Sequence, residues 1–230
     1  MTRRVRLGAA VACAVCLRGT SAAAQGDLEP LPGRFEVSGG LVWTRSTPFG
    51  SSDATLTSPA GDRYRLFSTS SELTRATGVE LRVGGRLSRL VQAELTASYA
   101  TPRLSTSIGS DAENAAAIIA SESITQVTVA GAGVVHLPFL HVGRRALPFV
   151  TAGTGYLRQL HEGATLVETG RTYHVGGGVK LSLVGDRHDR LVKQVGLRAD
   201  VGAMIRSGGL ALDGRAHTAP AIAASLFARF

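Results

Sequence analysis

From residue 35 onward, apolar residues recur at every second position in a series of separate runs. Phe35, Val37, Gly39, Leu41 and Trp43 alternate with Glu36, Ser38, Gly40 and Val42. The pattern is sharpest where Val79, Leu81, Val83, Gly85 and Leu87 interleave with Glu80, Arg82, Gly84 and Arg86. It returns over Val91–Tyr99, Tyr173–Leu183, Val195–Ile205 and Ile222–Phe230. Successive side chains of a strand point to opposite faces, so period two predicts strands with one apolar and one polar face. Thr125–Leu137 reads as a further strand, with Val127, Val129, Val135 and Leu137 on one face. Leu147–Leu160 reads as another whose two faces are indistinct. The count is about eight.

The connections alternate in length. Ser88-Arg89-Leu90, Pro138–Ala146 and Gly185–Leu191 are short turns. Arg45–Thr74 is long and rich in Ser, Thr, Gly, Pro and Asp, Pro102–Ser123 is a second long loop, and His161–Gly170 and Ser207–Gly214 read as further loops. The first of these holds short alternations on either side of Ser58-Pro59-Ala60-Gly61-Asp62, which predicts a hairpin within a loop. In the second, Ala115–Ala120 reads as a helical turn or a strand extension. An even number of strands joined by alternating short turns and long loops predicts an all-β, up-and-down antiparallel transmembrane β-barrel. Ten strands result if the Ala54–Phe67 hairpin enters the membrane.

Charge on the polar faces separates this architecture from a soluble sandwich. Glu80, Arg82, Arg86, Glu94, Lys180, Arg198 and Asp200 fall in mid-strand, opposite a single apolar column. With lipid outside the barrel, these groups face the lumen. An eight-stranded barrel is just wide enough for side chains to fill it, so they are expected to form a packed charge network with no open pore. A lipocalin-like soluble barrel, apolar face inward, is the competing arrangement. The leader and the terminal aromatic weigh against it.

The first 24 residues have the layout of a secretory signal peptide: a basic MTRRVR, an apolar LGAAVACAVCL, and the small residues Ser21-Ala22-Ala23-Ala24. Cleavage is expected after Ala24, with Gln25–Gly33 an extended lead-in to a barrel domain spanning 25–230. The apolar run is too short to cross a bilayer, which takes about 20 residues. Neither Cys13 nor Cys16 follows a good lipobox. The leader carries four of the arginines and no acid, so the formal charge of +8 falls to about +4 in the mature chain. That weakens a nucleic-acid reading, and no nucleic-acid partner is expected. Both cysteines leave with the leader, which removes disulfide and thiol chemistry. A mature chain that crosses a membrane then does so with strands.

The leader, the alternating strands and the ending Leu226-Phe227-Ala228-Arg229-Phe230 resemble small bacterial outer-membrane β-barrel proteins of the OmpA/OmpX and porin-family type. The resemblance spans the mature chain and is architectural. It implies a cell outer-membrane location, contact with outer-membrane lipid, a monomer, and Phe230 as an assembly signal read by the barrel-assembly machinery. No peptidoglycan-binding segment is recognisable beside the barrel.

Candidate chemistry is sparse. His136, His141, His161, His174, His188 and His217 are scattered without metal-site spacing, and no metal or cofactor is expected. His161 with Glu162 and His217 with Asp213 are the acid–His neighbours that a barrel hydrolase would use, but loops contain such pairs by chance. The glycines at 131, 133, 153, 155 and 176–178 form no phosphate-binding loop and point to close backbone approach on one barrel wall. Arg144-Arg145 and Arg187–Arg190 with Lys193 read as solvated turns. Trp43, Tyr99 and Tyr156 suit an interfacial girdle. The expected role is therefore non-enzymatic: structural, or surface interaction with an unidentified extracellular ligand through the loops at Arg45–Thr74 and Leu104–Ser123. A small-solute channel is the alternative. An outer-membrane barrel enzyme acting on lipid or peptide is the third.

Overall fold

Alternation becomes sheet wherever each strand finds two neighbours. The structure, a computed structural model, describes residues 33–109, 118–140, 145–162, 166–184, 191–208 and 215–230. The expected leader lies outside the described residues, as do His141, Arg144, Arg187–Arg190 and Asp213. The strands are β1 (Phe35–Thr44), β2 (Thr47–Thr57), β3 (Arg63–Leu73), β4 (Ala76–Arg86), β5 (Val91–Ala100), β6 (Arg103–Gly109), β7 (Ile118–Ser123), β8 (Thr125–His136), β9 (Ala146–Leu160), β10 (Val167–Val184), β11 (Gln194–Gly208) and β12 (His217–Arg229). Eight of them close into an antiparallel barrel in the order β1-β12-β11-β10-β9-β8-β5-β4. The fold is all-β and up-and-down.

Closure lies between the ends of the chain. β1 pairs with β12 from Glu36↔Arg229 to Thr44↔Ala221, and on its other edge with β4. One residue past β12, the Phe230 N–H donates to Phe35 O at 2.9 Å, and Phe230 O accepts the Arg34 N–H at 2.8 Å. Gly33 passes directly over this carbonyl with φ 83, a backbone conformation and a proximity that exclude a side chain. No free edge remains in this sheet, so every barrel strand has both of its hydrogen-bonding sides occupied.

The two faces sort by chemistry. On β12, Ile222 and Leu226 are 56% and 58% exposed, whereas Ala223, Ser225, Phe227 and Arg229 are buried in the lumen. The same contrast holds on β4, where Val79, Leu81 and Val83 point out and Glu80 and Arg82 point in. The outer wall is thus an apolar band, and the ten or eleven residues of β1, β4 and β5 match the length that crosses a bilayer's hydrocarbon core. Trp43, Tyr99 and Tyr156 also face outward. β9, whose faces the sequence left indistinct, turns Phe149, Leu157 and Gln159 inward and Val150 and Tyr156 outward. Two large apolar residues on the lumen side erase the contrast that periodicity needs.

Several connections differ from the sequence expectation. The Arg45–Thr74 segment is almost wholly the β2–β3 hairpin, and the Pro102–Ser123 segment contains β6 and β7. These four strands pair with one another in the order β2-β3-β6-β7. Each continues one barrel strand, so the sheet is an outward extension of the β1-β4-β5-β8 half of the wall. The ten-stranded alternative is thereby excluded, because β2 and β3 pair outside the barrel. Residues 118–120 of the Ala115–Ala120 segment are strand, and 115–117 lie outside the described residues. β10 begins at Val167, inside the expected His161–Gly170 loop, because its first residues pair with the end of β9 (Val167↔Leu160). Leu137 falls just after β8, before a 3-10 turn at Pro138–Leu140. The tight Leu87–Val91 turn is closed by the Leu87 N–H donating to Val91 O at 2.9 Å.

An apolar cluster of Phe49, Leu73 and Ile124, with Leu104 against it, sits where the extension joins the barrel. Facing inward from β2, β3, β6 and the β7–β8 junction, it fixes the extension on the rim.

The outer band gives a direct test. Leu81→Arg, in the middle of β4, should lower folding stability in lipid vesicles by about 2–4 kcal/mol, the cost of a cation at mid-bilayer on a lipid-facing barrel position. Leu56→Arg on the extension, 56% exposed, should stay within about 0.5 kcal/mol of the parent, as surface changes usually do. Equal effects in a vesicle-based denaturant titration would show that Leu81 does not face lipid.

Candidate functional site

The lumen concentrates the chemistry of the chain. Inward positions of β1, β4, β5, β10, β11 and β12 carry charged groups, and in a space this narrow they meet across the barrel. The network has two layers. In the layer nearer the short turns, Glu36 accepts from Lys180 Nζ at 2.5 Å and from Arg229 Nε at 2.8 Å. Arg229 also donates to Gln194 Oε1 at 2.7 Å, and Lys180 to Gln92 Oε1 at 3.4 Å. One layer further out, Arg198 Nη1 donates to Glu94 at 2.6 Å and its Nη2 to Asp200 at 2.9 Å. Arg82 reaches Glu80 at 2.7 Å and Asp200 at 3.0 Å, with Glu94 3.8 Å from its Nε. Arg198 links the layers, 3.9 Å from Glu36.

Six of the seven charges that the sequence places in the lumen belong to this network: Glu80, Arg82, Glu94, Lys180, Arg198 and Asp200. The seventh, Arg86, stands at its edge, half-buried at the turn end of β4 opposite Gln92 of β5 and within electrostatic reach of Glu36 and Arg229. Glu36, Gln92, Gln194 and Arg229 are full participants that sequence reasoning passed over. Parity was the available signal. Glu36 falls on the inward face of β1, between the outward Phe35 and Val37, and Arg229 stands on the opposite face from Phe230.

Two aromatic rings complete the closure. Phe149 and Phe227 are 2% exposed. Lys180 Nζ lies 5.6 Å and 5.9 Å from their ring centroids. The Arg198 guanidinium is 4.6 Å from the Phe149 centroid, and that of Arg229 is 5.1 Å from the Phe227 centroid. Cations so placed are attracted by the negative ring face, more strongly when water is excluded. Room for the rings comes from glycine. A methyl group on Gly178 would stand 2.7 Å from Phe149 Cζ, and one on Gly196 would stand 2.7 Å from Phe227 Cε1. Each ring therefore lies over a bare backbone on a neighbouring strand. His136 is buried in the same half of the lumen, with its Nδ1 3.3 Å from Leu90 O.

Toward the extension the lumen widens to a cavity of about 130 Å³, lined by residues that include Gln126, Thr172, His174 and Arg206. At the rim, His161 Nδ1 lies 3.0 Å from Glu122 Oε2. The Glu162 N–H donates to Glu122 Oε1 at 2.9 Å. The hydrogen bond from His161 holds the Glu122 carboxyl below the usual carboxylate range. The expected His161–Glu162 pair is thus replaced by His161–Glu122; the Glu162 carboxylate instead accepts the Ser123 N–H at 3.4 Å. His217 makes an edge contact with Phe49, ring centroids 5.5 Å apart, while its proposed partner Asp213 lies outside the described residues. Among the described residues, no three His, Cys, Asp or Glu side chains converge as metal ligands.

Comparison with solved structures places this geometry in a known architecture. The outer membrane protein OprG from Pseudomonas aeruginosa superposes with a TM-score of 0.50 over 87% of this chain and 97% of its own, at 12% identity. The fold is that of a small outer-membrane β-barrel. Neisserial surface protein A is also similar, with a TM-score of 0.48 over 85% of this chain and 97% of that one, at 10% identity. No protein-family profile and no curated protein matches the sequence.

The network predicts an order of sensitivity. Glu36→Ala strands two buried cations and should cost about 3–5 kcal/mol, the range for breaking a buried ion pair from one side. Glu94→Ala should cost less, because Arg198 retains Asp200. Asp53→Ala, on the exposed extension, should be within about 0.5 kcal/mol of the parent. Gel-shift midpoints on heating the detergent-folded barrel should follow that order, and identical midpoints for Glu36→Ala and Asp53→Ala would contradict it.

Proposed function

We propose that this chain is a non-enzymatic outer-membrane protein in which the barrel is a closed structural platform and the extension is the working surface. The carrying observation is that the lumen is shut by ion pairs and rings while four strands continue beyond it. In this reading the mature chain starts at Gln25, the short turns face the periplasm, and the β2-β3-β6-β7 sheet stands above the outer surface. The hairpin presents Leu56, Tyr64, Leu66 and Phe67, all exposed, with Arg63 and Arg65 on either side of Tyr64. Such a mixture of aromatic, aliphatic and guanidinium groups suits contact with another macromolecular surface. Sheet pairing to β6, in the register Ser68↔Gly109 to Leu73↔Leu104, gives its base a fixed geometry.

The small-solute channel is the reading that a conductance experiment separates. The purified barrel in planar bilayers should give no regular unitary steps. Reproducible steps of one size would overturn the closed platform and favour the channel.

Phe230 is proposed as the residue read by the barrel-assembly machinery during biogenesis. Its deletion also removes the terminal hydrogen bonds to Arg34 and Phe35, but each contributes only about 1 kcal/mol net. The expected result is poor assembly in cells with normal refolding of the purified chain in detergent. Wild-type levels in the outer-membrane fraction without Phe230 would remove that role.

A further inference from the structure

Arg206 differs from the other cations of the lumen. It lies near the outer end of β11 and is 4% exposed. Arg82, Lys180, Arg198 and Arg229 each hold at least one carboxylate. Arg206 has no such partner among the described residues, and its buried Nε has no acceptor. It lines the 130 Å³ cavity together with Thr172 and Gln126, and Thr172 is its direct neighbour across the β10–β11 ladder. The Thr172 hydroxyl and the Gln126 amide nitrogen are likewise buried without partners.

These three groups share one property: each has hydrogen to donate. The carboxylates on the same cavity wall are already engaged, since Glu80, Glu94 and Asp200 bind Arg82 and Arg198. A buried guanidinium without a counter-charge is costly, and a planar oxyanion matches its fork of N–H groups. The volume is close to that of an engineered cavity of about 150 Å³ that accommodates benzene, so a ligand of up to about six heavy atoms fits. Among the described residues the extension continues only the β1-β4-β5-β8 half of the wall, with no sheet above the β9–β12 side of the rim.

We propose that the outer half of the lumen is a binding site for a small oxyanion, a carboxylate or an inorganic oxyanion, held by Arg206 with Thr172 and Gln126 as further donors. The site is a dead end above the charge network. It requires no conduction, so it stands independently of the surface role.

The test is calorimetric titration of the full mature chain, folded in detergent, with sodium phosphate, sodium sulfate and sodium acetate, chloride holding ionic strength constant. One-to-one saturable binding of at least one of these is expected, weakened roughly tenfold or more in Arg206→Gln. Preference for phosphate or sulfate assigns the inorganic class, and preference for acetate the carboxylate class. Absence of saturable binding, or an unchanged Kd in Arg206→Gln, overturns the proposal. Should Arg206→Gln not fold, Thr172→Val and Gln126→Leu replace it. Each is expected to weaken binding by roughly three- to tenfold, and unchanged affinity in both overturns the site.

Discussion

The carboxylate of Glu36, held between Lys180 and Arg229, is the interaction on which the inside of this barrel depends. It joins β1, β10 and β12, strands separated by most of the chain, at the end where the first and last strands meet. In the half of this eight-stranded barrel nearer the short turns, side chains fill the space between opposite walls and leave no room for bulk water. Charges on the inner face must therefore neutralise one another, and an unmatched sign is expensive. Arg198 carries the same requirement one layer outward, binding Glu94 and Asp200 while lying within 3.9 Å of Glu36. The layers act as one electrostatic unit, and the register of the strands that supply them is thereby specified: a slip of one residue would turn every charge toward the apolar exterior.

Glycine and aromatic residues solve the volume problem that charge alone leaves. Phe149 over Gly178 and Phe227 over Gly196 fill the space between arginine and lysine stems, and their ring faces meet the cations. The same half of the lumen is thus both neutral and packed. Outward of it the composition changes to Thr, Ser, Ala and Gln, side chains too short to cross the barrel, and a cavity results. Arg206 stands on that cavity wall with no counter-charge among the described residues. A filled, mutually satisfied base and an open, donor-rich outer half follow from side-chain length and charge placement on the same strands.

The extension obeys a simpler rule. β1, β4, β5 and β8 are neighbours in the wall, and their outer connections are long enough to continue as strands. Pairing satisfies backbone groups that would otherwise face solvent singly, and Phe49, Leu73, Leu104 and Ile124 supply an apolar anchor at the base. From the sequence these connections read as loops holding only a hairpin within Arg45–Thr74 and a helical turn or strand extension at Ala115–Ala120, because Ser, Thr, Gly and Pro dominate them. β-propensity is weak evidence where cross-strand partners decide the outcome. At Arg63–Leu73, eleven residues of mixed polarity are strand because β2 and β6 lie on either side.

What the sequence by itself determined is everything that parity carries. Period two over Val79–Leu87 and Val195–Ile205 gives strand, face and the inward direction of Glu80, Arg82, Arg198 and Asp200, because side-chain alternation is a property of a single strand. The spacing of turns gives an up-and-down order of about eight strands, and the pairing of β2 and β3 outside the barrel decided eight against ten. Only the tertiary structure decided which charges meet. Glu36 and Lys180 are 144 residues apart, and their contact depends on closure, strand tilt and register, which no local pattern encodes. It also decided that Phe149 turns inward, that His161 binds Glu122 and not Glu162, and that Arg206 has a cavity before it. Each of these is a relation between strands that become neighbours, or face one another, only when the sheet closes.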